Sequence, residues 1–399
     1  MVLAAAFAVA CSGTSAAPTT APTDSATASE STAATVSPAT SHSAAPTAPA
    51  VCASQELAGM SEEQRVGQLF LLGVAGDHLS TAEKAAIQTY HLGSAWLYNW
   101  RTGGLAGVRP LTTEIQALAT DANTRGVGFF VGADQEGGRI QRITGPGFST
   151  IPAALDQGAL PVVTLEADAA GWGRELAAAG INLDFAPVMD VVPPGADASN
   201  APIGALRREY GHDPATAGDH GAAIVRGMAR AGIATTLKHF PGLGRVSANT
   251  DTATGVVDAV TTATDPYLDS FGAGIRAGAP FVMVSLATYT SIDQAHQAVF
   301  SPAIIGDLLR GRLGFEGVVM SDDLGAAAAV KSMAAADRAT AFIAAGGDFI
   351  IVGGTAPAGQ MAAAVVERAS SDKAFAAQVD AAVLRVLGAK ESYGLLRCS

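Results

Sequence analysis

From Gln68 onward the chain repeats one pattern. A short apolar run that does not alternate with polar residues is followed by a polar loop, then by an Ala-rich segment of helical character. The apolar runs fall at 68–74, 92–98, 128–134, 181–188, 233–240, 280–286, 317–323 and 348–354. Helical segments are expected between them at 163–180, 215–231, 264–278, 302–311 and 327–346. Strands that are continuously apolar belong to a parallel sheet covered on its outer face. Eight such strands separated by helices predict an α/β fold, the TIM (β/α)8 barrel. A doubly wound open sheet is the alternative. Neither GxGxxG after the first strand nor GxxxxGK[ST] occurs, so the nucleotide-binding versions of that fold lack their fingerprint.

A barrel places its chemistry at the C-terminal ends of its strands. Charged residues gather at those positions: Asp134 and Glu136 after the third run, Asp190 after the fourth, Lys238 and His239 at the end of the fifth, Asp322 and Asp323 at the end of the seventh. Paired carboxylates at a barrel mouth suit glycosidic cleavage, in which one attacks or activates water and the other protonates the leaving oxygen. Asp322 is the candidate for attack. The Ser321-Asp322-Asp323 triplet reads equally as a helix N-cap. Lys238 and His239 could donate to sugar hydroxyls, or be a buried ion pair and a structural histidine. Asp134 opens DQEGGRIQR (134–142) and could accept two hydroxyl hydrogens of one sugar. For Glu136 and Arg139 a salt-bridged loop is the preferred reading. No HExxH, paired-His spacing or GxSxG is present, so metal hydrolysis and serine hydrolase chemistry find little here; no metal or other cofactor is expected.

Composition divides the 399 residues unevenly. Residues 12–50 hold 34 Ser, Thr, Ala or Pro out of 39, too little apolar surface to offset the entropy of ordering. The segment 12–51 therefore reads as a disordered linker ahead of one domain at 52–399. Before it, 2–10 is an apolar run ending in small residues and Cys11, the shape of a secretory signal with a lipobox-like cysteine. No basic residue precedes the run, and Ala8 stands where Leu is favoured. The reading at 1–11 is a signal segment with lipidation at Cys11, so that the domain is secreted and tethered to the outer face of the membrane. Cys52 and Cys398 bracket the domain. A disulfide between them is expected, and in the entropic account could stabilise by up to about 5 kcal/mol; two free thiols are the alternative. Net charge is −12, Lys and Arg total 24, and no basic run exists, which leaves nucleic acid without a footing. A monomer is expected.

Six segments in order resemble glycoside hydrolase family 3, its single-barrel β-N-acetylglucosaminidases: DQEGGRIQR (134–142), FAPVMDV (185–191), RREYG (207–211), KHFPGLG (238–244), MSDDL (320–324) and AAGGDFIIV (344–352). The resemblance implies a retaining exo-acting hydrolase of N-acetylglucosamine-terminated peptidoglycan fragments. It makes Asp322 the nucleophile that forms a covalent glycosyl-enzyme. It implies that Asp134, Arg142, Arg208, Lys238 and His239 hold the terminal sugar. IGALRREYG carries two extra residues relative to the usual IGDRSFG, so Arg207 rivals Arg208.

One departure is chemical. Family members carry Asp-Ser-His in the loop after KHFPGHG, and that His is the acid/base. The corresponding residues here are Asn249, Thr250 and Asp251, the His of PGHG is Leu243, and the Ala-His near the sixth strand is Ser285-Leu286. Asp251 becomes the candidate acid/base, with burial on loop closure helping it to hold a proton. The rival is that it caps the next segment and another group serves. A carboxylate there would repel phosphate, so hydrolysis is expected rather than phosphorolysis. Two further rivals remain: a β-glucosidase-like specificity, and a non-catalytic muropeptide-binding lipoprotein, against which Asp322 argues.

Overall fold

The computed structural model describes residues 51–396. Cys11, the 12–50 tract and Cys398 lie outside the described residues. Cys52 is buried and disulfide-bonded.

Eight parallel strands form one sheet: β1 (Phe70–Val74), β2 (Ser94–Leu97), β3 (Phe130–Ala133), β4 (Leu183–Asp184), β5 (Ala234–Phe240), β6 (Phe281–Val284), β7 (Val318–Ser321) and β8 (Ile350–Val352). Each pairs with its sequence neighbour, and β8 returns to β1 with Phe70 opposite Ile350. A parallel bridge between Met320 and Phe349 joins β7 to β8 and closes the barrel. Nearly every strand residue is buried, which is why these runs are apolar without alternation. Phe130, Phe281 and Phe349, from β3, β6 and the entry to β8, stack edge-on and tilted within the core. Residues at strand starts fill the barrel, so only the opposite ends are free for chemistry.

All eight expected strands are present, but β4 is shorter than its apolar run predicts. Only Leu183 and Asp184 join the ladder, and the chain then leaves it before a single bridge at Val188–Lys238. The outer helices follow the expected segments where local caps agree. Asp213 accepts from Thr216 N at 2.8 Å and Pro214 occupies the first helical position of Pro214–Arg230. Two segments need correction. The expected helix at 264–278 begins only at Leu268, because Asp265 spends its carboxylate on Arg245 and on Tyr267 N. The Ala-rich stretch 327–346 is helical only from Ala335 to Ala344, after a short 3-10 turn at Ala328–Val330. There, Ala328 N and Ala329 N donate to the carbonyls of Asp251 and Thr250 at 3.0 and 3.1 Å instead of to a helix of their own. Helix propensity yields to a tertiary contact, and that contact lies beside the site.

Candidate active site

The C-terminal mouth of the barrel opens into a pocket of about 380 Å³. Asp134, Arg142, Arg208, Lys238, His239, Asp251 and Asp322 all line it. Residues far apart in the chain are brought together because each sits at, or just beyond, the end of a strand.

One wall is a charge cluster. Lys238, at 1% exposure inside β5, places Nζ 2.7 Å from Asp134 Oδ1 and 2.6 Å from Glu136 Oε1. Arg208 donates from Nε and Nη2 to the two oxygens of Glu136 at 2.8 and 2.7 Å, a bidentate fork. Burial works against charge on Glu136, but Arg208 and Lys238 outweigh it and hold its pKa at about 2. Burial likewise disfavours charge on Lys238 and Arg208, and in both the surrounding carboxylates win and raise the pKa. Arg142 stands farther off, its Nε 3.9 Å from Asp134 Oδ2, with its guanidinium 4.9 Å above the ring of Trp100. Asp134 therefore faces the pocket with one oxygen anchored by Lys238. The hairpin carrying these residues, Gln135–Gly137 against Ile140–Gln141, turns through Gly137 (φ 100°), where a Cβ would lie 2.2 Å from Pro152 O.

Lys238 is both things that the sequence left open: a buried ion pair and a pocket wall. His239 is likewise anchored, its Nδ1 2.7 Å from Asp190 Oδ2, and Asp190 also accepts from the main-chain N–H groups of His239 and Leu243. That grip fixes the imidazole and leaves its other edge for the pocket. Of the rival arginines, Arg208 lines the pocket, whereas the more exposed Arg207 pairs with Asp156. Arg139 is exposed on the hairpin. Glu136 is salt-bridged as expected, but within the wall rather than in a peripheral loop.

The opposite side holds two carboxylates of different character. Asp322 follows β7, half-buried, and accepts the N–H of Asp323 at 2.8 Å. Capping falls to Asp323, which accepts from Gly325, Ala326 and Gly353, so Asp322 is free to face the pocket. Burial pushes the Asp322 pKa up to about 6, the negative charge of Asp251 adds to this, and His239 opposes it. Asp251 is exposed on the loop after β5, its N–H held by Asn249 Oδ1 at 2.8 Å. The carbonyls of Thr250 and Asp251 are pinned to the turn after β7, which ties the two carboxylate-bearing segments together. Leu243 fills the family's histidine position as a buried apolar wall, and Ser285 bonds Tyr289 OH at 3.0 Å rather than facing the pocket.

Sequence reasoning missed Trp96, Tyr98 and Trp100, which line the pocket beyond β2. Their signal was available as three aromatics at alternate positions on a strand end. It also missed Asp184, fully buried beneath the cluster, which accepts from Gln135 N; burial raises its pKa to about 7.

An ionised clamp on one wall and two carboxylates on the other are the equipment for cleaving a glycosidic bond on a barrel scaffold. Comparison with known proteins makes that class specific. The family model described as the glycosyl hydrolase family 3 N terminal domain matches residues 61–389. A beta-hexosaminidase of Stenotrophomonas maltophilia is 36% identical over 300 residues, covering 71% of this chain and 83% of that protein. One from Xanthomonas oryzae is 34% identical over the same shares. Among solved structures, a beta-N-acetylhexosaminidase from Beutenbergia cavernae is 50% identical with a TM-score of 0.82, covering 83% of this chain and 99% of that one. A family 3 beta-N-acetylglucosaminidase from Paenibacillus sp. is 27% identical with a TM-score of 0.75, covering 85% of this chain and 64% of that one. The chain belongs to glycosyl hydrolase family 3 and is a glycoside hydrolase.

Proposed function

We propose that the protein is a retaining exo-β-N-acetylglucosaminidase in which Asp322 is the nucleophile and Asp251 the acid/base. The observation that carries this is the position of Asp322: freed from capping, at a strand end, in a pocket with Asp251 close enough to act on its titration. The negative charge of Asp251 makes the Asp322 anion costlier to form in the empty pocket. One protonated and one ionised carboxylate is the state a retaining mechanism starts from. In the empty pocket Asp322 carries the raised pKa. Positive charge developing at the anomeric carbon stabilises the Asp322 anion, which leaves the proton with Asp251 for the departing oxygen. Once it has given that proton, Asp251 is ionised and takes one from the attacking water in the second step, which frees Asp322 and restores both carboxylates.

The anchored wall supplies recognition. Asp134, held by Lys238, accepts sugar hydroxyls, while Lys238, His239, Arg142 and Arg208 present donors. The substrate class follows from the likeness to beta-hexosaminidases, and N-acetylglucosamine-terminated peptidoglycan fragments suit a domain tethered outside the membrane through Cys11. The anionic Asp251 favours water over phosphate as the second acceptor. Turnover of nitrophenyl β-N-acetylglucosaminide against the matching glucoside, in Tris and in phosphate buffer, tests the reading. Preference for the N-acetylated substrate and free N-acetylglucosamine as product are expected. Preference for the glucoside, or sugar phosphate as the main product, would reject it.

A further inference from the structure

Outside the pocket, Asp197, Glu209 and His212 converge so that one ligand atom from each lies within 4.8 Å of the others. Glu209 is fully buried, yet neither of its carboxylate oxygens has a hydrogen-bond partner among the described residues, and one of them belongs to this cluster. Asp197 Oδ1 is also buried and unpartnered by any hydrogen bond. His212 Nδ1 sits 3.6 Å from that oxygen and 3.2 Å from the carbonyl of Val192. A fully buried carboxylate without a donor costs several kcal/mol unless something neutralises it.

We propose that Asp197, Glu209 and His212 form a binding site for a divalent first-row cation of the zinc type. Two carboxylates and one neutral imidazole balance the ion's charge, and a mixed nitrogen–oxygen set favours zinc over calcium or magnesium, which prefer oxygen alone. Zinc bonds of about 2.0–2.2 Å require the ligand atoms to approach to about 3.5 Å, a side-chain adjustment from the present spacing. Asp197 and His212 are partly exposed, at 41% and 33% of their side-chain surface, which leaves an entry route and room for a water ligand.

The placement gives the ion a positioning role. Glu209 adjoins Arg208, whose fork on Glu136 shapes the pocket wall. Asp197 opens the turn that ends at Asn200. The Asn200 side chain donates to the carbonyls of Leu243 and Val246 at 2.7 and 2.8 Å, in the loop that leads to Asp251. An ion here would clamp the segment 197–212 against both walls. The inference does not depend on which sugar is cleaved. Nothing in the chain order announces it, since the turn at 197 and the segment 207–212 meet only in the fold.

The test uses the full chain, stripped with a chelator, desalted and titrated with zinc chloride by calorimetry, with melting followed in parallel. Saturable binding of one equivalent and a raised Tm are expected. Glu209→Gln and His212→Asn should each weaken binding by more than about tenfold, since even outer-shell losses cost that much. His212 is half-exposed, so its variant folds even if Glu209→Gln does not. Zinc should also lower KM more than it changes kcat. Absence of saturable binding in the wild type overturns the proposal. So does binding that survives His212→Asn unchanged, or binding that is lost with Asp322→Ala instead, which would place the ion in the pocket.

Discussion

The two walls of the pocket are built on opposite principles. On the clamp side, Asp134, Glu136, Lys238 and Arg208 are buried or nearly so, and each is tied to another by contacts of 2.6–2.8 Å. On the other side, Asp251 is exposed, with no side-chain partner among the hydrogen bonds and ion pairs of the described residues, and Asp322 has a raised pKa rather than a neutralising partner. Recognition needs donors and acceptors whose positions do not move, and paired charges in a low-dielectric wall supply that. Proton transfer needs a group that changes charge during the reaction, and a carboxylate locked by an arginine fork could not. The difference separates groups that bind from groups that react.

Substitutions should divide along the same line. Asp322→Ala should cost at least about 10⁴-fold in kcat with the fold intact, because no covalent intermediate can form. Turnover of an aryl N-acetylglucosaminide, with melting as the control, measures it. Glu136→Gln should do the reverse: it strands Arg208 in the wall and leaves Lys238 with Asp134 alone, and a broken buried pair costs about 3–5 kcal/mol of stability. A denaturant melt checks this. A variant that stays fully stable would show that the wall is not held by its charges.

Asp251→Ala should lose on the order of 10²–10³-fold on disaccharides with poor leaving groups, and much less on nitrophenyl substrates that need no proton. Equal losses on both would remove its acid role. The smallest effect is on pH. With Asp322 raised to about 6, its attacking anion is lost as pH falls through that value, so kcat/KM should drop on an acid limb near 6. Asp251→Asn removes a negative neighbour, makes Asp322 easier to ionise, and should move the limb to lower pH. A limb that stays in place would mean that the charge of Asp251 does not act on Asp322.

The two walls were also unequally legible in the chain. The barrel could be read from eight apolar runs, because burial on both faces leaves its mark in every strand. Asp134, Lys238, His239 and Asp322 could be placed at its rim for the same reason. What hid was pairing across distance. Glu136 read as a loop salt bridge because its partner Arg208 lies 72 residues away. Which of Arg207 and Arg208 enters the pocket depends on a left-handed turn at Arg207 (φ 59°), which nothing in RREYG announces. The turn after β7 read as helix, because its alanines favour one and the carbonyls of Thr250 and Asp251 that claim its amides come from another strand's loop. Trp96, Tyr98 and Trp100 came into view only when the fold set them around the pocket.

The division of labour rests on Asp322 carrying the sugar. Incubation with a 5-fluoro N-acetylglucosaminyl fluoride, which forms a glycosyl-enzyme faster than it is hydrolysed, followed by proteolysis and mass spectrometry, reads this directly. A stoichiometric adduct on the peptide containing Asp322, absent from Asp322→Ala, is the predicted result. Turnover of the reagent with no adduct, or an adduct on Asp251, would contradict the assignment of the two carboxylates.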